Sequence, residues 1–136
     1  MVRHLLNTGR LRQIVMAASR RSRAFRNWYF EAGCTEAELR SIRLLKKWLS
    51  PEQLVQYESH QYFDVTGRQS GKRYRIRYGI GMNIYEIDSR GRRLAGLCFV
   101  PVGTSVAGDI MLAQKIALET DEANALVVAR RFSAVI

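Results

Sequence analysis

The residues best suited to chemistry lie in the run Lys72-Arg73-Tyr74-Arg75-Ile76-Arg77-Tyr78. Basic side chains alternate strictly with aromatic and aliphatic ones, the period of a strand with one buried face. Three guanidiniums on one pleated face would stand ~7 Å apart along the strand. That spacing resembles successive phosphates on a nucleic-acid strand, and each planar fork donates two parallel hydrogen bonds to a phosphate. Lys72 adds a point charge at the start. Two observations oppose a polyanion site. Asp64 and Glu86 fall on segments read as adjacent strands and can neutralise Arg75 or Arg77, leaving an ordinary solvated face. Tyr74 and Tyr78 fall on the opposite side of the pleat, which weakens a base-stacking platform, because such a platform needs exposed rings beside the bases.

A second basic region opens the chain. Residues 1–30 hold seven arginines and no acid. Leu11, Ile14, Ala18, Ser22, Phe25 and Tyr29 recur every three or four residues, a helical stripe, while Arg12, Arg20, Arg23 and Arg26 point elsewhere. A basic amphipathic arm over residues 1–33, stopped at Gly33, has three uses open to it. It can bind phosphates without sequence preference, lie on anionic lipid, or pack on protein, including a second copy of the chain. Its Arg- and Ser-rich, acid-free composition also suits a mitochondrial transit peptide. The net charge of +10 on 136 residues makes a polyanionic partner the leading expectation.

The remaining reactive residue types form no constellation. His60 lacks an identifiable proton partner, and His4 sits near the terminus. Cys34 and Cys98 are far apart, without ligand spacing, so neither a zinc site nor a disulfide is expected, and free thiols suit a reducing, cytoplasmic setting. No cofactor is expected. Lys115 and Glu119 read as an i,i+4 pair. Glu119, Asp121 and Glu122 read as an acidic start to the last helix, stabilised by its dipole. No apolar run is long enough to span a bilayer.

The elements that would position these residues are legible from caps and periods. Thr35-Glu36-Ala37-Glu38 and Ser50-Pro51-Glu52-Gln53 are capping boxes. They predict a helix with Leu39, Ile42, Leu45 and Leu49 on its inner stripe, then a short helix to about Ser59. Strands follow over Tyr62–Thr66, Arg73–Tyr78, Met82–Asp88 and Leu94–Val100, with turns at Gly67–Gly71 and Ser89–Arg92. The fourth strand is apolar on both faces and is expected to be central or covered. Asp109 is expected to cap a helix to about Thr120, and Thr120 or Asp121 a last helix to about Phe132. The fold class is therefore α+β: a four-stranded antiparallel meander with helices before and after it on one sheet face, residues 34–136 forming a single domain behind the arm.

Residues from about Trp48 to Asn124 resemble a group of small uncharacterised proteins from bacteria and their phages. The resemblance rests on Leu49-Ser50-Pro51-Glu52-Gln53, Phe63-Asp64-Val65, Gly71-Lys72-Arg73-Tyr74-Arg75-Ile76, Met82-Asn83-Ile84, Leu97-Cys98, Gly108-Asp109, Met111-Leu112-Ala113-Gln114-Lys115 and Leu118-Glu119-Thr120-Asp121-Glu122. It implies a bacterial cytosolic origin and supplies no catalytic residues. The arm lies outside it. The expectation is a non-enzymatic binding protein, an accessory factor engaging nucleic acid through Lys72, Arg73, Arg75, Arg77 and the arm residues Arg20, Arg23 and Arg26. The alternative is a protein–protein module that self-associates through the N-terminal helix.

Overall fold

Both capping boxes form as the sequence predicts. In a computed structural model that describes residues 30–103 and 105–134, Thr35 accepts from the Glu38 amide, and the Glu38 carboxylate accepts from the Thr35 amide at 2.6 Å. This starts α1, Glu36–Trp48. Ser50 and Gln53 exchange the equivalent bonds and start α2, Pro51–His60, with proline in the first turn. Each cap satisfies amides the helix cannot reach and contributes about 1 kcal/mol. Residues 1–29 of the expected arm, Arg20, Arg23 and Arg26 among them, lie outside the described residues. From Cys34 onward the chain is one compact unit.

Five strands follow one another as neighbours: β1 Tyr62–Thr66, β2 Arg73–Arg77, β3 Ile84–Ile87, β4 Arg93–Cys98 and β5 Arg130–Phe132. All four pairings are antiparallel. The first three connections are hairpins, with Gly71 and Gly91 at positive φ in the first and third turns. The fifth strand corrects the expectation of four. The last helix was expected to reach Phe132, but the helical backbone ends at Val128 and Arg130–Phe132 pairs with β4. A paired β5 also explains why β4 is interior to the sheet, although Leu94 at its start is exposed.

The third helix, α3, covers Ala107–Val128 and is broken at Asp121, whose φ of −151° is not helical. The expected junction of two helices is this kink, and the Asp121 carboxylate accepts from the Asn124 amide, capping the second half. Asp109 is not a cap. The helix begins three residues earlier, after Val106, so Asp109 lies in the first turn, where the helix dipole still favours its charge. The earlier start is permitted by Gly108. A Cβ there would stand 2.4 Å from the Ser41 carbonyl carbon, so only glycine lets α1 and α3 approach this closely.

One face of the sheet is buried. Phe63, Val65, Tyr74, Ile76, Ile84 and Leu97 point beneath the helices, with Ile42, Leu45, Tyr57, Ile110, Met111 and Leu118 opposite them. Each such side chain contributes roughly 1.5–3 kcal/mol by leaving water. Polar groups in this layer are matched. Asn83 and Gln114, both buried, exchange two amide hydrogen bonds of 2.9 and 3.0 Å, and each donates one more to a backbone carbonyl. Glu122, 1% exposed, accepts from the Tyr74 hydroxyl, the Ser70 hydroxyl and the amides of Gln69 and Ser70. It therefore locks the β1–β2 turn to α3, rather than serving the helix start as an acidic cluster would. Burial pushes the Glu122 carboxyl up, but the bonds from Ser70 and Tyr74 outweigh it and hold the group below its ordinary range. Burial and the bond to Glu122 push Tyr74 the other way, well above an ordinary phenol.

Candidate nucleic-acid interface

The described helices leave the second face of the sheet uncovered, and the register fixes what stands on it. Asp64, Arg75, Tyr85, Gly96 and Phe132 are successive partners across all five strands. They form a row of about 19 Å at ~4.8 Å per strand spacing. Tyr62, Arg77, Cys98 and Arg130 flank the row at one end of the strands, and Thr66, Arg73, the buried Ile87 and, across a bulge, Arg93 at the other.

The three β2 arginines do share this face, while Tyr74 and Ile76 are buried on the other. Their charges are not equivalent. Asp64 accepts from Arg75 Nε at 2.8 Å and Nη2 at 3.1 Å, a two-point fork, and from Arg73 Nη2 at 2.8 Å. Burial raises the Asp64 carboxyl, and the Arg75 bond and charge bring it below the ordinary value. Arg77 forms no ion pair among the described residues and is exposed. The neutralisation expected from Asp64 therefore falls on Arg73 and Arg75 and spares Arg77. Glu86 pairs with Tyr74, so it belongs to the helix-covered side, where it binds Lys72 at 3.4 Å. Lys72 is thereby separated from the arginine row it was expected to extend.

The face also carries residues that the single-strand reading missed. Arg93 on β4 and Arg130 on β5 join it by register and make no ion pair among the described residues. Its aromatic rings come from the neighbours of β2. The Arg75 guanidinium lies 4.0 Å from the Tyr62 ring centre, and His60 stacks on Tyr62 at 5.2 Å with 14° between planes. The Arg93 guanidinium lies 4.2 Å from the Tyr85 ring centre, and Phe132 meets Tyr85 edge-on at 5.6 Å. Gly96 makes the last contact feasible: a Cβ there would stand 2.2 Å from Phe132 Cε2, so the ring lies across the glycine. The signal for Tyr62 and Tyr85 was present as their alternation within their own strands. For Phe132 it was hidden by the helical reading of its segment.

Elsewhere, a polar cleft of about 810 Å³ opens beside β1, between Ser50, Gln53, Asp64, Arg68, Arg73 and Lys115. Lys115 pairs with Glu119 as expected, and Gln53 donates to the other Glu119 oxygen at 3.0 Å. An apolar groove of about 580 Å³ lies between Phe99–Val102 and the outer side of α3 at Ile116 and Val128. Cys34 and Cys98 are free. No helix among the described residues is long and apolar enough to cross a membrane. No protein-family model, curated protein or solved structure matches the chain.

Proposed function

We propose that the domain is a non-enzymatic nucleic-acid-binding accessory protein that engages phosphates through the uncovered sheet face. The observation that carries this reading is the charge imbalance there. By register, Arg73, Arg75, Arg77, Arg93 and Arg130 share the face with one carboxylate, that of Asp64, among the paired strand residues. Such a face concentrates positive potential and suits a chain of net charge +10. The resemblance over residues 48–124 adds no activity to this reading. With Arg77, Arg93 and Arg130 in no ion pair among the described residues, the face alone should contribute a salt slope of about −2 in log K against log salt for single strands. Fluorescence anisotropy with a labelled random-sequence oligonucleotide across a salt series is the test. Changing all three arginines to glutamine should make the slope shallower by about that amount. Absence of binding at low salt removes the reading.

The apolar groove favours a second reading, a protein–protein module that self-associates. Ile116 and Val128 are 43% and 63% exposed, and Val102 projects fully. Light scattering across a concentration series tests it. Mass should rise with concentration and should fall to that of a monomer after Ile116→Glu. A monomer at every concentration sinks it.

A further inference from the structure

The uncovered face carries two columns of rings and cations as well as charge, the first stacked and the second closed on one side by an edge-on ring. His60, Tyr62 and Arg75 form one, and Phe132, Tyr85 and Arg93 the other. Tyr62 and Tyr85 lie two strands apart, on the order of 12 Å across the pleat. His60, at the open end of the first column, is exposed, and so is Arg93 in the second. Duplex nucleic acid hides its base faces and can use only the charges. An unpaired strand offers both phosphates and flat rings, and rings and guanidinium planes accept bases of any sequence.

We infer that the ligand of this face is an unpaired nucleic-acid strand, with one base stacking on His60 in the first column and one on Tyr85 in the second, while its phosphates run past Arg77, Arg130 and the displaced Arg93. This rests on the phosphate-binding reading above and deepens it. Arg75 is a positioning residue here. Its fork onto Asp64 fixes the guanidinium over Tyr62 before any ligand arrives, so the first column needs no ordering on binding. The second column is looser, because Arg93 is held by no carboxylate among the described residues and can yield its place on Tyr85 to a base.

The test compares the full chain on labelled oligo-dT, oligo-rU and a duplex of matched length at equal salt. Single strands should bind at least tenfold more tightly than the duplex. Oligo-dT and oligo-rU should differ little, since both offer the same rings and phosphates. Tyr85→Leu and His60→Ala should each weaken single-strand binding roughly 5- to 100-fold, the range for losing one base stack. Both should leave duplex binding and the salt slope unchanged, and Tyr85→Phe should restore single-strand binding to within twofold. His60 is exposed, so its variant keeps the test valid if Tyr85→Leu lowers stability. Equal affinity for single strands and duplex overturns this inference and leaves the phosphate reading standing. So does insensitivity of single-strand binding to both variants. No binding to any of the three probes overturns both.

Discussion

Changing Glu122 to glutamine isolates the worth of one buried charge, because the side-chain shape is kept. In the parent, Oε2 accepts from Tyr74 and Ser70 at 2.5 Å each, and Oε1 accepts from the Ser70 and Gln69 amides at 2.7 and 3.1 Å. Glutamine can keep its oxygen on the two amides and turn its NH₂ toward the two hydroxyls, which can rotate to accept. The bonds survive but lose charge assistance. Bonds to charged groups contribute about 1.5–3 kcal/mol and neutral ones about 0.5–1.5; four bonds each weakened by about 1 kcal/mol, offset in part by the smaller cost of burying a neutral amide, leave an expected net loss of about 2 kcal/mol. For a domain of this size that is a fall of roughly 10 °C in Tm, measured by circular dichroism or calorimetry. The pH dependence provides a second reading of the same charge. The folded-state carboxyl is held below its ordinary value, so its contribution is complete above the unfolded carboxylate range, about pH 4.3. It is lost as pH falls through the lower folded value. The gap in Tm between parent and Glu122→Gln should therefore be constant near neutrality and close in acid. A variant that melts with the parent at pH 7, or a gap that persists unchanged at low pH, refutes the argument.

Three further outcomes follow from the packing. Gly108→Ala places a Cβ against backbone atoms of Ser41 that cannot swing aside; it should cost about 1–3 kcal/mol or more by overpacking, seen as a lower midpoint in urea. Gly96→Ala first meets the Phe132 ring, which can rotate; stability should fall by about 1 kcal/mol, while amide exchange in Arg130–Phe132 accelerates as β5 loses its anchor. Asp64→Asn releases Arg73 and Arg75 from their shared carboxylate; duplex affinity at low salt should rise and its salt slope steepen by about 0.9 for each added phosphate contact, while the preference for single strands shrinks as the first column loses its pre-ordered guanidinium and the melting point drops.

Caps, strand periods and the meander order are legible in the sequence, and the Asp64–Arg75 pair follows from that order; the exact register across more distant strands is not. The capping boxes at Thr35 and Ser50 and the alternation of Arg73–Arg77 depend on residues within four positions of each other, and each appears in the fold. The exact register is different: it is set by burial and turn geometry. Nothing near Arg75 says that Tyr85 stands beside it, or that Tyr62 lies under it. The C-terminus was misread for a related reason. Ala125 to Phe132 contains nothing that forbids a helix. The chain leaves the helix after Val128 because Gly96 offers Phe132 a place on the sheet, a reward located some thirty residues upstream. Glu122 was assigned to its own helix for want of the same information. Its partners are Gln69, Ser70 and Tyr74, a turn and a strand that helical spacing does not reveal.

The sheet edges narrow how a partner can be held. An open edge strand invites main-chain pairing with another extended chain. At β1 that route is occupied: Gln56 accepts from the Asp64 amide at 2.8 Å, and Gln53 donates to the Asp64 carbonyl at 2.9 Å. Both glutamines come from α2, so the helix that roofs Phe63 also satisfies the outward backbone groups at the middle of the strand. At the other edge β5 is three residues long, and Arg130 and Arg131 are exposed. A second copy pairing there would bring like charges together, which disfavours it. With one edge filled and the other short and charged, recognition at the sheet falls to side chains on its face. That face offers planar cations and rings, which is the chemistry the proposed single-strand ligand requires.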